Sequence, residues 1–254
     1  MSQKRAAVLV VNPSRAEAVE AASVLAVLLL KADFDLFTIS DVAISGVTNS
    51  AAENLPAVEI AVVLGGDGTI LRGAELTRER NIPLLGINIG HVGFMAEVIR
   101  PEITAVAKSV IDKSYGLDSR MVLAYEVIRN GEVIDTGWAL NEVTVERQHT
   151  TMVELFVQID GRPLSRWGCD GLIASTPTGS TAYAFSAGGP VLWPEVEALV
   201  LLPISAHALF ARPMVISPKS EIVVEIQSDE ALLSADALRK FPLVKGDQVR
   251  ITRD

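Results

Sequence analysis

The chain has 254 residues, of which 49% are hydrophobic and 21% are charged. This balance is typical of a folded globular protein and excludes an intrinsically disordered one. The formal net charge is −9, and no run of lysine or arginine stands out, so we expect neither nucleic acid nor an anionic membrane as a partner. The longest apolar stretch, residues 21–30, is too short to span a bilayer.

The N-terminal residues and the cysteine content predict a cytoplasmic protein. Lys4 and Arg5 precede a strand-like run that ends at Asn12-Pro13, which differs from a secretory leader with a small-residue cleavage site. Cys169 is the single cysteine and has no partner for an internal disulfide. We interpret it as a small buried residue, because no histidine lies near it in the sequence.

The first half of the chain alternates apolar runs with helix-like stretches. Residues 6–11 are typical of a buried strand, and the turn at 12–14 carries the cap chemistry that starts a helix over 16–31. Further strand candidates are residues 34–39, 60–64 and 84–88. Strands separated by helices predict βαβ units and an open parallel α/β sheet, which we assign to a first domain over 1–115. Ligands of such sheets bind at the carboxyl ends of the strands.

After about residue 115 the pattern changes to strands joined by tight turns. Residues 121–129 and 132–146 flank the Asn-Gly pair at 130–131, a strong hairpin signal, and the Asp-Gly pair at 160–161 is a second one. Further strand candidates are residues 153–159, 221–227, 231–235 and 248–252. This pattern predicts a mostly antiparallel, β-rich second domain over 116–254.

The sequence Gly-Gly-Asp-Gly-Thr at 65–69 directly follows the predicted strand that ends at Leu64. Its glycines let the backbone approach a phosphate closely, with free amides at the start of the next helix. The Asp67 carboxylate would repel that phosphate, so it needs another task, either as a general base or in positioning Mg²⁺. The alternative is an ordinary strand-to-helix turn in which Asp67 caps the helix.

Two further segments carry polar groups suited to a nucleotide. Residues 170–183 form a short apolar strand and then a loop with five hydroxyl side chains, which suits phosphate or ribose, and Tyr183 offers a face for stacking. The alternative is a Ser/Thr-rich surface turn. Asn141-Glu142 is a weaker signal, because successive strand positions point to opposite faces and one of the two side chains should face solvent.

Together these segments resemble the NAD kinase family of the bacterial type. The resemblance rests on GGDGT at 65–69, NE at 141–142 and DGxxxSTPTGSTAYxxSxGGP at 170–190. Residues 88–94 also match the family's NxGxxGF segment, and His207 with Arg212-Pro213 resembles PHSLxxRP, with Ala206 in place of the proline. The implied reaction moves a phosphoryl group from ATP or inorganic polyphosphate to the 2′-hydroxyl of the adenosine ribose of NAD, with Mg²⁺, giving NADP.

The resemblance also implies residue roles. Asp67 would accept the proton of the 2′-hydroxyl, and the phosphate-donor cradle would be shaped by Gly65, Gly66 and Thr69. The implied contacts with NAD are Asp67, Gly68, Phe94 near the adenine, Asn141 and Glu142 at ribose hydroxyls, Asp170 at the nicotinamide side, and Thr178, Thr181, Ala182, Tyr183 and Ser186 at the adenine and diphosphate. Arg72, His207 and Asp236 are weaker candidates, and no protein residue is assigned to the metal.

The chain departs from the family pattern in two places. The family's Asp-Gly pair near the end of the β domain is Asp236-Ala237 here, so a positive φ at Ala237 would be strained. The family implies a further segment beyond Asp254 that returns to the first domain, and we expect its loss to reduce domain packing or alter assembly. The family also implies a homodimer or homotetramer.

Other functions share parts of these signals. Lipid kinases and phosphofructokinase carry GGDG-type turns, although a lipid kinase should add a PxGTxND-type segment and a membrane-facing surface. A non-catalytic regulatory module that binds NAD or NADP would keep the pocket without needing a base. NADP formation from NAD distinguishes such a module from a kinase.

Overall fold

A computed structural model describes residues 4–89, 98–99, 103–208 and 211–254. The chain divides into two compact units, Met1–Asp118 and Ser119–Asp254. In these described ranges, every helix is too short or too polar to cross a bilayer. The predicted adenine contact Phe94 lies outside the described residues.

The first unit is built on a six-stranded parallel sheet, as the sequence predicts. Its strands are β1 (Ala6–Val11), β2 (Asp35–Thr38), β3 (Thr48–Asn49), β4 (Ile60–Gly65), β5 (Leu84–Asn88) and β6 (Val98–Ile99). Its helices are α1 (Ala16–Lys31), α2 (Asp67–Thr77) and α3 (Ile103–Asp112), with a short 3-10 turn at Ala52–Asn54. The order across the sheet is β3-β2-β1-β4-β5-β6, and all its pairs are parallel.

Different helices cover the two faces of this sheet. Leu9 and Val62 pack on one face with residues of α1 and α3, whereas Val8 and Val63 pack on the other face with Ile70 of α2. Both faces of β1 and β4 are therefore buried, which explains why these strands are almost continuous apolar runs in the sequence.

The order of the strands reverses between β1 and β4, and this reversal places two loops side by side. The chain moves from β1 to β2 on one side of the sheet and returns to β4 on the other. Ligands of open α/β sheets bind at such a switch point, outside the carboxyl ends of the strands. The Asn12 amide, directly after β1, donates to Leu64 O near the end of β4 at 3.0 Å. The loop after β1 and the loop after β4 therefore lie side by side.

The turn after β1 differs in detail from the prediction. Arg15 occupies the N-cap position of α1, and its side chain makes no capping hydrogen bond. Asn12 instead accepts the Ser14 amide with Oδ1 at 3.0 Å. The polar side chain of this turn therefore stabilises the turn itself rather than the first turn of the helix.

The second unit is antiparallel and β-rich, as predicted, and consists of two six-stranded sheets. The first sheet contains β7 (Leu123–Arg129), β8 (Glu132–Ala139), β10 (Val153–Ile159), β11 (Arg162–Cys169), β15 (Ile222–Ile226) and β18 (Gln248–Arg253), in the order β11-β10-β15-β18-β7-β8. The second contains β9 (Glu142–Glu146), β12 (Gly171–Ser175), β13 (Leu199–Ile204), β14 (Met214–Ile216), β16 (Glu230–Ala235) and β17 (Arg239–Val244), in the order β14-β13-β12-β9-β16-β17. A 3-10 helix (Gly179–Thr181) and the short helix α4 (Tyr183–Ser186) follow β12.

The inner faces of the two sheets share one hydrophobic core. Alternate residues of the first sheet, such as Leu155 and Val224, pack in the same cluster as Val143, Leu172 and Leu201 of the second. The two predicted hairpins are confirmed: φ is +54° and +84° at residues 130–131, and +52° and +72° at residues 160–161. Only a few residue types tolerate this left-handed conformation, which is why the turns were readable from the sequence.

The single strand predicted over 132–146 is wrong. The chain leaves the first sheet at Ala139, the end of β8, and enters the middle of the second sheet at Glu142, the start of β9. The expectation that one member of Asn141-Glu142 faces solvent fails for the same reason. Both residues are buried, with 4% and 8% of their surfaces exposed, because they lie where the chain crosses from one sheet to the other.

Candidate active site

The GGDGT segment is the junction between β4 and α2. Gly65 ends the strand, Gly66 is the N-cap residue of the helix and Asp67 is its first residue. A Cβ at Gly65 would overlap the Thr69 hydroxyl, so this glycine lets the buried threonine pack against the turn. Gly68 is exposed, and a Cβ there would meet nothing.

This junction is the N-terminal end of helix α2, where main-chain amides can meet an anion. The Thr69 and Ile70 amides are already used, since they donate to Gly66 O at 2.8 and 3.1 Å. Helix N-termini attract negative groups through such amides and the helix dipole. Asp67 lies half-buried in the first turn rather than at the N-cap position. The arrangement thus places a carboxylate beside a position suited to phosphate.

The structure adds a cation that the sequence analysis missed. Arg15, in the loop after β1, donates from Nη1 to Ile89 O at 2.8 Å, and its Nη2 would lie 3.5 Å from a Cβ at Gly66. Its guanidinium therefore lies against the GGDGT turn. The sequence signal was a basic residue directly after the turn that closes β1. It could not be interpreted alone, because only the pairing of β1 with β4 brings Arg15 next to Gly66. Arg72, the predicted weaker candidate, is exposed on α2.

In the second unit, the Asn141-Glu142 pair and the hydroxyl-rich loop pack together. The Thr176 amide donates to Asn141 O at 2.9 Å, and the Thr176 hydroxyl donates to Leu140 O at 2.6 Å. Gly179 lies so close to Asn141 O that a Cβ there would overlap it. These contacts join two segments that the sequence analysis could only consider separately.

The loop divides its hydroxyl groups between two tasks. Ser175, Thr176 and Ser180 are fully buried and donate to main-chain carbonyls, so the surface-turn alternative is wrong. The other predicted contacts are more accessible: Thr178, Thr181 and Ala182 are half-buried, and Tyr183 and Ser186 are exposed. The Thr181 hydroxyl donates to Thr178 O at 3.1 Å.

Two buried polar atoms at the sheet crossing lack hydrogen-bond partners in the described part of the chain. They are Oδ1 of Asn141 and Oε2 of Glu142. Burial raises the pKa of Glu142 to about 8, with further contributions from the charges of Asp236 and Glu146, while the Tyr183 amide acts in the opposite direction. Buried polar atoms are normally paired, so these two atoms are candidates for hydrogen bonds to a ligand.

Asp170 and Tyr183 line a neighbouring cavity of about 390 Å³. Its lining residues are Glu146, Arg147, Gln148, His149, Asp170, Tyr183 and Ile204. Asp170 Oδ1 pairs with Arg147 Nε at 2.8 Å. Burial raises the pKa of Tyr183, and the charges of Glu146, Asp170 and Glu142 raise it further. The cavity is thus polar and rich in acidic groups on the side of Tyr183.

The remaining weaker candidates have other surroundings. Asp236 is buried, and its carboxylate accepts the amides of Leu140, Asn141 and Glu142. The positive φ anticipated at the next residue is present: φ is +52° at Asp236 and +56° at Ala237. His207 is exposed, and its amide donates to Gly168 O at 2.9 Å. Cys169 is buried as predicted, and burial raises its pKa to about 12.

Comparison with known proteins places these features in a family. Residues 7–115 match the model of the ATP-NAD kinase N-terminal domain, and residues 140–253 match that of the ATP-NAD kinase C-terminal domain. The chain belongs to the NAD kinase family. It is 48% identical over 210 residues to NAD kinase 2 of Streptomyces avermitilis, covering 82% of this chain and 70% of that protein. It is 49% identical over 198 residues to NAD kinase of Mycobacterium bovis, covering 77% and 64%.

Two solved structures share the fold of the whole chain. Yeast NADH kinase in complex with NADH matches with a TM-score of 0.88 and 25% identity, covering 100% of this chain and 81% of that one. An NAD kinase from Archaeoglobus fulgidus in complex with ATP matches with a TM-score of 0.74 and 25% identity, covering 99% and 90%. The predicted family, fold class and enzyme class are confirmed, and the lipid-kinase and phosphofructokinase alternatives are superseded.

Proposed function

We propose that the chain transfers a phosphoryl group to the 2′-hydroxyl of the adenosine ribose of NAD, producing NADP. The position of Asp67 carries this proposal: it is a half-buried carboxylate in the first turn of α2, at a helix start suited to an anion and at the switch point of the sheet. The Asp67 carboxylate takes the proton of the 2′-hydroxyl. The ribose oxygen forms a bond to the terminal phosphorus of the donor, whose bond to the bridging oxygen breaks.

ATP is the proposed donor, because the structural relative from Archaeoglobus fulgidus was solved in complex with ATP. Inorganic polyphosphate is the second candidate donor. Gly65, Gly66 and Thr69 shape the cradle, and Arg15 places a positive charge against it. Because the chain has a net charge of −9, such a local cation is needed to attract the donor phosphates. Arg15 therefore joins the proposed donor contacts, and Arg72 remains a weaker candidate.

Magnesium fits this site as an ion held mainly by the donor. The described residues contain no cluster of three or more His, Cys, Asp or Glu side chains able to hold a metal. Mg²⁺ is commonly bound by substrate phosphates with few protein ligands rather than by a protein cage, so the donor phosphates would supply most of its ligands and Asp67 keeps its role as the base. When bound, the ion would neutralise charge on the transferring phosphoryl group.

The proposed NAD contacts lie in the second unit apart from Asp67, Gly68 and Phe94. Asn141 and Glu142 would bind ribose hydroxyls with the two buried atoms that have no hydrogen-bond partner among the described residues. Tyr183 offers an exposed ring, and Thr178, Thr181, Ala182 and Ser186 would contact the adenine and diphosphate. Asp170 would contact the nicotinamide side. Arg147 neutralises Asp170 in the cavity beside Tyr183, which leaves the Glu146 carboxylate as the charge that favours the cationic nicotinamide of NAD over the neutral ring of NADH.

A homodimer or homotetramer and a cytoplasmic location remain part of the proposal. The oligomer rests on the family resemblance, and the cytoplasmic location rests on the single, buried cysteine. Sedimentation or light scattering measures the assembly directly. A stable monomer at micromolar concentration would contradict the oligomer.

The test of the proposed function is NADP formation by the unchanged chain. The protein is incubated with NAD and Mg²⁺, with ATP or polyphosphate, and NADP is measured; parallel reactions contain NADH or an NAD analogue lacking the 2′-hydroxyl. We expect NADP with at least one donor, slower phosphorylation of NADH and none of the analogue. NAD binding without NADP formation would identify a regulatory module, and phosphate on the analogue would refute the acceptor atom.

A further inference from the structure

We propose that Asp236 is a positioning residue: it holds the main chain of the sheet crossing so that Asn141 and Glu142 present their polar atoms to the dinucleotide. The inference rests on the proposed function, since it concerns the same NAD contacts. It replaces the expectation that Asp236 itself contacts substrate. Its test compares two buried aspartates of the second unit.

The first observation is the set of hydrogen bonds around the carboxylate. Asp236 Oδ2 accepts the Leu140 amide at 2.7 Å, and Oδ1 accepts the amides of Asn141 at 2.7 Å and Glu142 at 3.3 Å. The Asp236 amide donates to Glu142 O at 3.0 Å. One side chain therefore organises three consecutive peptide groups that are 94 to 96 positions away in the sequence.

The second observation is the location of these peptide groups. Residues 140 and 141 belong to neither β8 nor β9, so regular strand pairing does not fix them. Without the carboxylate, buried amides at this crossing would lose their acceptor, which is costly. The side-chain positions of Asn141 and Glu142 follow from this main chain, and each carries a buried oxygen without a hydrogen-bond partner in the part of the chain that the structure describes.

The third observation is the backbone of the turn that carries the carboxylate. Asp236 and Ala237 both have positive φ, and the Leu238 amide donates to Ala235 O at 3.0 Å, closing a tight turn between β16 and β17. A left-handed conformation is unfavourable for alanine. The chain thus keeps a strained turn, and that turn aims Asp236 into the sheet crossing.

Asp236 also acts on Glu142 through charge. The groups that face Glu142 are Asp236 from the β16–β17 turn, Glu146 from its own strand and the Tyr183 amide from α4, while Arg239 lies near Asp236. Asp236 is the second contribution, after burial, to the raised pKa of Glu142. Removing the Asp236 charge should therefore lower the pKa of Glu142 while leaving it above its ordinary value.

The test is the Asp236→Asn variant with Asp247→Asn as its matched control. Asp247 is also a buried turn aspartate of the second unit; it accepts the Val244 amide at 2.9 Å and pairs with Arg129 Nε at 2.7 Å. Both variants should lose stability. We expect only Asp236→Asn to raise the Kd and KM for NAD at least tenfold, with a smaller change in kcat.

The pH dependence of NAD binding provides a readout that a purely structural role would not move. If the Kd for NAD changes with a pH midpoint that is absent from Glu142→Gln, that midpoint reports the titration of Glu142. Asp236→Asn should move this midpoint to lower pH. Asp247→Asn should leave it unchanged. The effects of Asp236→Asn and Asn141→Ala on NAD affinity should also be less than additive, because the first is expected to act through the second residue.

Three outcomes would overturn the proposal. They are an NAD Kd within twofold of the unchanged chain in Asp236→Asn, an equal loss of affinity in Asp247→Asn, and an unmoved pH midpoint. If Asp236→Asn unfolds, the comparison is repeated with Ala237→Gly added to relax the turn, and failure to fold even then assigns the carboxylate to structure alone. Absence of NADP formation by the unchanged chain would instead refute the proposed function, since the inference is measured by NAD binding.

Discussion

The GGDGT turn and the sheet crossing at Asn141-Glu142 are built in opposite ways. In the GGDGT turn, the strand end, the N-cap glycine and the carboxylate follow one another along the chain. At the sheet crossing, the peptide groups are held by Asp236, more than 90 positions away, and by Thr176, about 35 positions away. A site built from neighbours in sequence is visible as a motif, whereas a site built from distant partners is not.

The largest expected effect concerns the locally built site. Asp67→Asn should lower kcat by about 100- to 10,000-fold, because a general base acts mainly in the transition state. The Kd for NAD should stay within a few-fold. Glu17→Gln, which also changes an acidic residue in the first turn of a helix, is the control and should be nearly silent. Steady-state kinetics and NAD titration decide the matter, and near-normal turnover of Asp67→Asn would remove Asp67 from its role.

The next effect tests the burial of the crossing. The folded pKa of Glu142 is about 8, above its model-compound value of 4.5, so the folded state binds the proton more tightly than the unfolded chain. Stability of the ligand-free protein should therefore fall as pH rises from about 5 to 8, and Glu142→Gln should remove that fall, on the order of a few kcal/mol. Urea unfolding at several pH values measures it, with Glu132→Gln, an exposed glutamate at the start of β8, as the control. Parallel curves for the unchanged chain and Glu142→Gln would contradict the prediction.

A smaller effect is expected from the cation that links two loops of the first unit. Arg15→Ala should raise the KM for ATP by about tenfold, since a charge-assisted hydrogen bond is worth about 1.5–3 kcal/mol. Arg72 is exposed like Arg15, but the guanidinium beside Gly66 is that of Arg15, so Arg72→Ala should change KM by less than about twofold. Equal effects of the two variants would mean that only net charge matters and that Arg15 does not contact the donor.

The smallest effect concerns the turn behind the crossing. Ala237→Gly should stabilise the protein by about 1 kcal/mol, because glycine adopts the observed φ of +56° without strain. Ala187→Gly, at a residue with φ of −85°, should be destabilising. Urea midpoints compare the two variants. A destabilised Ala237→Gly would show that the turn carries no strain.

Much of the local structure was predictable because its causes are local. The apolar runs of β1, β4 and β5 and the helix α1 were readable, since a sheet covered on both faces requires continuous apolar strands. The single strand over 132–146 was wrong, because alternation and β propensity do not show where a chain changes sheets. Strands β11, β13, β14 and β17 were not predicted at all.

The candidate site shows the same division. Asp67 and the hydroxyl-rich loop were identified as candidates from the sequence itself. Asn141-Glu142 was a weak signal and became a candidate through the family resemblance. Arg15 was missed because its position against Gly66 depends on β1 pairing with β4. The buried state of Glu142 was missed because β9 lies in the middle of the second sheet, between strands β12 and β16 that come later in the sequence.

The sequence by itself determined the family, the two fold classes and most of the candidate site residues, because glycines, turns and short polar strings act on their immediate neighbours. The tertiary structure decided which of those residues meet. It placed Arg15 on the GGDGT turn, buried both members of the Asn141-Glu142 pair and turned Asp236 toward the main chain. Hydrogen bonds and burial between distant segments exist only after the sheets have formed.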